Sequence, residues 1–195
     1  MTEDSIDTTV LLTRAAADDR HARSELIALH YDRLCQQAHR LLRSERTGHS
    51  LEAADLAHEA VLRILRGNEL SKAKDCNQLV RACARALRQA LIDHVRLRKA
   101  VKRGGNCARE GLDDFEVDVR RQCGGDAEDV SEALGCLAEE LPREATVLEM
   151  RFFGGFTLPE IAAALELSPR TVERDCRSAL TWLRAYFAQE AVDAT

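Results

Sequence analysis

Arg170, Arg174 and Arg177 recur four and three residues apart in the stretch SPRTVERDCRSALTWLR, which begins at Ser168. On a helix that spacing gathers them on one side, with Thr171 at the N-terminal edge and Ser178 beside them. A guanidinium fork can bond guanine in two places, and hydroxyls can bond bases or phosphates. The chemistry this suits is recognition of a polyanion. A second set lies upstream. Arg81, Arg85, Arg88, Arg96, Lys99 and Arg103 fall, at roughly 100° per residue, within a strip about 80° wide. No acid shares that strip, since Asp93 points elsewhere. Charge runs on helices are commonly just solvated faces, but six aligned cations favour phosphate binding.

Bond-breaking chemistry finds little support. His58-Glu59 opens an H-E-x-x-H pattern, but Leu62 stands where the second His is required. Asp93-His94 suits a helix surface or a satisfied core position. There is no Gly-rich phosphate loop and no nucleophile elbow. The seven cysteines (Cys35, Cys76, Cys83, Cys107, Cys123, Cys136 and Cys176) are odd in number and form no C-x-x-C pair. They read as reduced thiols used as small apolar residues. The expectation is no catalytic residue, no metal and no cofactor.

The chain has 195 residues, 45% of them hydrophobic and 31% charged. That is enough to bury a core, in one domain or two small ones. No apolar run approaches the roughly 18 residues that span a bilayer. The N-terminus, MTEDSIDTTV, lacks the basic-then-apolar layout of a secretory signal, so the expected location is the cytoplasm, away from membranes. Charge is segregated. Residues 1–103 carry 19 Lys/Arg against 14 Asp/Glu, while residues 104–195 carry 9 against 19. The net charges are +5 and −10, which sum to the overall −5. So uneven a balance predicts separate tasks for the two halves.

The elements that must position these residues are helical. Pro is rare, strand-like alternation is missing, and Ala, Leu, Arg and Glu dominate. From Asp18 to about Arg46, Leu26, Leu29, Leu34, Ala38, Leu41 and Leu42 recur at helical spacing, with a candidate break near His30. Residues 53–66 form a second amphipathic unit whose inner stripe is Leu56, Ala57, Ala60, Val61 and Ile64. Residues 67–77 read as a loop. A long helix follows from about Gln78 to Lys102, with Leu79, Cys83, Leu87, Leu91 and Val95 on its core face. Residues 104–132 are rich in acids and paired glycines and read as an interdomain tether.

The last third is a helical unit. Leu134 to Leu141 reads as a helix, and Pro142 opens the next, which ends at Gly154-Gly155. Thr157 and Glu160 make a capping box around Pro159. Ile161, Ala162 and Leu165 face inward. Ser168 caps the following helix, with Pro169 at its first position. Its apolar face is Val172, Cys176, Ala179, Leu180, Leu183 and Phe187. A short capped helix, a tight turn and a longer capped helix form a helix-turn-helix, whose second helix enters the major groove in proteins that use it. The expected fold is all-α: two small helical domains joined by a flexible acidic linker, spanning 8–103 and 133–190.

Taken together, the segments AADLAHEAVLRIL, QLVRACARALRQALIDHVRLRKAVKRGG and LPREATVLEMRFFGGFTLPEIAAALELSPRTVERDCRSALTWLR resemble, in that order, three functional parts of the extracytoplasmic-function sigma factors of bacterial RNA polymerase. The resemblance covers about Asp18 to Phe187. It implies that Asp55, Glu59, Leu62 and Arg63 dock on a coiled coil of the polymerase β′ subunit. It implies that Arg81, Arg85 and Gln89 face the −10 element, with Arg88, Arg96 and Lys99 along the backbone. Arg170, Thr171, Arg174, Arg177 and Ser178 would read the −35 element. The tether would thread toward the polymerase active site, its acids mimicking nucleic acid. Implied partners are core polymerase, through the β′ coiled coil and β flap, and promoter DNA, with room for an anti-sigma factor or another inhibitor.

The sequence departs from the family at one place. No Phe, Trp or Tyr occurs between Tyr31 and Phe115. Unpaired bases are commonly held by aromatic stacking, so guanidinium planes, Leu70 or Leu79 would have to substitute. Two other functions stay open on the residues alone. One is a stand-alone helix-turn-helix regulator, which leaves residues 53–103 unused. The other is a sigma-like protein that docks on polymerase but cannot initiate.

Overall fold

The structure, a computed structural model, describes residues 3–17, 19–44, 53–67, 73, 76–101 and 127–193. Every regular element among them is an α-helix. In chain order these are α1 (Glu3–Ala16), α2 (Arg20–Ser44), α3 (Ala53–Arg66), α4 (Cys76–Val101), α5 (Ala127–Glu140), α6 (Pro142–Phe152), α7 (Leu158–Leu165) and α8 (Pro169–Asp193). None of them is long and apolar enough to cross a membrane. The fold is all-α, as the composition requires.

Helix α2 runs without a break through His30. Its stripe differs from expectation at one residue. Leu26, Leu34, Ala38 and Leu41 are buried, but Leu29 is 59% exposed. The i+4 step from Leu26 falls on His30, and that ring takes the half-buried position the leucine was expected to fill. Helix α3 meets its expectation in full: Leu56, Ala57, Ala60, Val61 and Ile64 are all buried, while Leu62 and Leu65 stay exposed. Helix α1 was not read from sequence at all. Only Leu12 and Ala15 of its described side chains are buried, too few to announce a periodic face.

Helix α5 begins at Ala127, seven residues before the expected Leu134 and inside the segment read as tether. The cause is Val130 and Ala133, which join Leu134 and Leu137 in one fully buried stripe. The stretch 102–126, with Arg103, Cys107 and Cys123, lies outside the described residues, as does most of the 67–77 loop.

Helices α1 to α4 pack in sequence, with α3 between α2 and α4. Helices α5 to α8 form a second group in which α8 touches α5, α6 and α7. Helix α4 joins the groups, meeting α5, α6 and α7. The main core cluster runs through both, from Leu34, Leu87 and Leu91 to Leu148, Phe152 and Leu183. A smaller cluster seats Ala84 of α4 among Val147, Met150, Phe156, Ile161 and Val172.

His30 supplies a measurable pH dependence. Burial, reinforced by the charge of Arg33, pushes its pKa below the ordinary 6.5. Its Nε2 is buried without a hydrogen-bond partner. The folded state therefore keeps the ring neutral, while the unfolded chain takes up a proton as pH falls through about 6.5. The His30 contribution is present above that value and lost below it. Urea titrations at pH 7.5 and 5.5 are expected to show a smaller loss of stability on acidification for His30→Leu than for the wild type.

Candidate nucleic-acid interface

The α7–α8 corner is built from local signals. Thr157 caps α7: its Oγ1 accepts from Glu160 N at 3.4 Å, and Glu160 Oε2 accepts from Thr157 N at 2.8 Å. This is the expected capping box. Helix α7 ends at Glu166, whose φ of 55° reverses the chain in the left-handed region. Ser168 then caps α8, its Oγ accepting from Thr171 N at 3.1 Å and lying 2.8 Å from Thr171 Oγ1. Val172, Cys176, Ala179 and Leu183 are buried, which turns the opposite side of α8 outward.

On that outer side Arg170, Arg174 and Arg177 are exposed, and Thr171 and Ser178 are half-buried at its edges. The structure brings all five residues of this set onto one accessible face. Arg177 is paired with Glu173 at 3.1 Å. Glu173 had not been singled out, although its i,i+4 spacing from Arg177 was a legible signal.

A second anchor had no local signal. Asp175 is 1% exposed. Arg143, near the start of α6, forks onto it, with Nε 2.6 Å from Oδ2 and Nη2 3.0 Å from Oδ1. The bond to Asp175 raises the Arg143 pKa further above its ordinary value. The pair fixes α8 against α6 and so sets the direction in which Arg174 projects.

The α4 face is more divided than the sequence suggests. Arg85 and Gln89 are exposed and Arg81 is half-buried. Neither Arg81 nor Arg85 makes an ion pair among the described residues. Arg88 instead reaches Glu149 of α6 at 2.8 Å, and Arg96 reaches Glu128 of α5 at 3.0 Å. Lys99 lies on the same helix, but its side chain is outside the described residues. Asp93, expected to lie off the arginine strip, holds Arg63 of α3 at 2.9 Å.

Leu79 requires a correction. It was a candidate to hold an unpaired base in place of an aromatic ring, yet it is 2% exposed and belongs to the core. Its i+4 relation to Cys83 and i+8 relation to Leu87 places it on the buried stripe. Leu70 lies outside the described residues.

On α3, Asp55 and Leu62 are exposed, and Glu59 is half-buried. Arg63 is spent inward, between Glu59 at 3.1 Å and Asp93. Leu65, three residues beyond Leu62 on the outer face, was missed; the i+3 spacing would have found it. Among the described residues no cluster of His, Cys, Asp and Glu could hold a metal ion. Among the described residues Cys35, Cys83, Cys136 and Cys176 form no disulfide.

An all-helical frame presenting arginines on two separate helix faces suits a class, helical proteins that engage nucleic acid. The family model described as ECF sigma factor matches residues 5–189, nearly the whole chain. The protein belongs to the ECF sigma factor family, whose members act in transcription initiation and are not enzymes. No curated protein matches the chain.

Proposed function

We propose that this protein binds core RNA polymerase and directs it to specific promoters. In this reading residues 8–103 form the polymerase-binding and −10 domain, and residues 133–190, preceded from Ala127 by the extended α5, form the −35 domain. Residues Arg170, Thr171, Arg174, Arg177 and Ser178 read the −35 duplex. Arg81, Arg85 and Gln89 face the −10 element, while Arg88, Arg96 and Lys99 follow its backbone. Asp55, Glu59, Leu62 and Leu65 meet the β′ coiled coil. The observation that supports this best is the corner itself: a capped α8 whose five polar recognition residues stand clear of its buried face, in a chain whose family match is continuous. The negative second half opposes loose DNA binding by the chain alone, since nonspecific affinity comes largely from neutralised phosphates.

The test is run-off transcription with core polymerase and promoter fragments. Specific transcripts are expected only when this protein is added. Leu62→Asp puts a charge into the apolar part of the docking face and is expected to weaken core association about tenfold, measured by competition with the wild type.

Two observations favour a second reading. Burial of Leu79 and the lack of aromatics in residues 32–114 leave fewer groups to hold melted bases. A chain that docks on polymerase and binds duplex DNA, yet yields no transcript on an unmelted template and gains none on a pre-melted one, would be a docking protein that cannot initiate.

A further inference from the structure

We propose that Arg143 is a further contact to the −35 duplex, made from outside the helix-turn-helix: one edge of its guanidinium is clamped by Asp175, and the other takes a backbone phosphate beside the base pair that Arg174 meets. The inference rests on the reading of α8 as the −35 recognition helix.

Three side chains form one unit. Asp175 sits on the inner side of α8, 1% exposed. Its Oδ1 accepts from Arg143 Nη2 at 3.0 Å and lies 3.5 Å from Nη2 of Arg174. Two guanidinium groups, one from α6 and one from α8, thus meet at a single oxygen. Arg174 belongs to the recognition face, so Arg143 stands at the margin of that face. Although its carboxylate partner is buried, the Arg143 side chain is 49% exposed. A guanidinium has five N–H donors. Nε and Nη2 each give one to Asp175, and the other three make no hydrogen bond among the described residues. Glu144, 4.0 Å from Nη2, is beyond hydrogen-bond range. Glu140 is engaged elsewhere, accepting from Trp182 Nε1 at 2.9 Å, about two turns further along α8.

Holding α8 in place does not by itself account for this arrangement. A buried ion pair carries a desolvation cost, and an apolar pair of similar volume commonly serves stability as well. An apolar pair cannot present a cation of fixed orientation at the surface. The guanidinium fork, its inner edge fixed by a carboxylate, keeps an outer edge that matches two phosphate oxygens. Such contacts set the register and orientation of a reading helix and carry no sequence information themselves. Residues 104–195 hold 9 Lys/Arg against 19 Asp/Glu, so an anchored cation beside α8 counts for more there than in a basic domain.

Holoenzyme assembled from the full-length chain and core polymerase, titrated onto a promoter fragment over a salt series, tests this. Arg143→Gln/Asp175→Asn replaces the ion pair with two amides and leaves the net charge of the chain unchanged. Its promoter affinity is expected to fall about tenfold, the loss of one charge-assisted bond. The loss is expected to be equal on the cognate promoter and on one with a changed −35 base pair. The slope of log affinity against log salt is expected to become shallower by about 0.9, one phosphate contact. Arg143→Lys, which keeps a cation at the rim, is expected to retain the wild-type slope. Should the amide pair fail to reach wild-type helicity, Arg143→Met/Asp175→Leu makes the same measurement with an apolar pair. A wild-type slope in either folded pair variant would reduce Arg143 to a clamp and overturn the inference. So would a loss confined to one −35 base pair, which would mean that Arg143 acts only through Arg174. A wild-type holoenzyme that binds no promoter would overturn the sigma-factor reading, and this inference with it, before any variant is made.

Discussion

Arg174→Glu is expected to cut run-off transcription from the cognate promoter roughly 10–100-fold, the loss of one bidentate base contact worth about 1–3 kcal/mol, while core polymerase binding stays at the wild-type level. The side chain is 69% exposed in the first turns of α8. In helix-turn-helix recognition those are the residues that meet base edges. The Ser168 cap fixes where the helix begins, and the Arg143–Asp175 fork fixes its roll against α6. Reversal also places a carboxylate where Arg174 Nη2 now lies 3.5 Å from Asp175. Arg174→Gln is therefore the control that separates lost recognition from a disturbed anchor. The Gln variant is expected to keep the wild-type melting temperature and still lose discrimination at one −35 base pair. Arg85→Glu on α4 makes the paired measurement. It is expected to lose selection at the −10 element with the −35 preference intact. Start-site selection untouched by both reversals would remove the basis for the proposed function.

What the sequence made legible was local. The α3 stripe, the Thr157–Glu160 box, the Ser168 cap and the outward set on α8 each depend on residues within one or two turns, and each stands where spacing puts it. The failures have a common cause. Leu29 and His30 compete for one inward position, and which of them turns in depends on α3 and α4 packing across from them. Leu79 carried two readings, a core position by its spacing and a base-holding one by its place at the start of a helix, and its burial leaves only the first. Arg33 of α2 pairs with Glu160 of α7 across 127 residues, and Gln37 with the Phe152 carbonyl across 115. No periodicity connects them. The segregated net charge was the one signal in the sequence of their joint existence, and it gave the sign of the pairing without the partners.

The largest expected effect on stability is at Phe152. Phe152 and Phe153 are both fully buried and meet edge-to-face, with ring centres 4.9 Å apart. Phe152→Ala removes the ring and leaves a cavity, at a cost of about 3–5 kcal/mol. A domain of ordinary stability holds only about 5–15 kcal/mol in all. Urea denaturation followed by far-ultraviolet circular dichroism is expected to show the unfolding free energy falling by that amount, read as a lower midpoint. The shape of the transition is as informative as its position. Phe152 belongs to the same core cluster as Leu34, Leu87 and Leu91, and its carbonyl receives Gln37. Coupled halves give one shifted transition, since loss of the second group of helices also strips the α2/α4 face of its cover. Adding Arg33→Ala/Gln37→Ala to Phe152→Ala uncouples them, and the single transition is expected to split, with the helices after Ala127 melting first. A split already present in Phe152→Ala alone would show that the two groups of helices fold independently and that the contact between them contributes little to either.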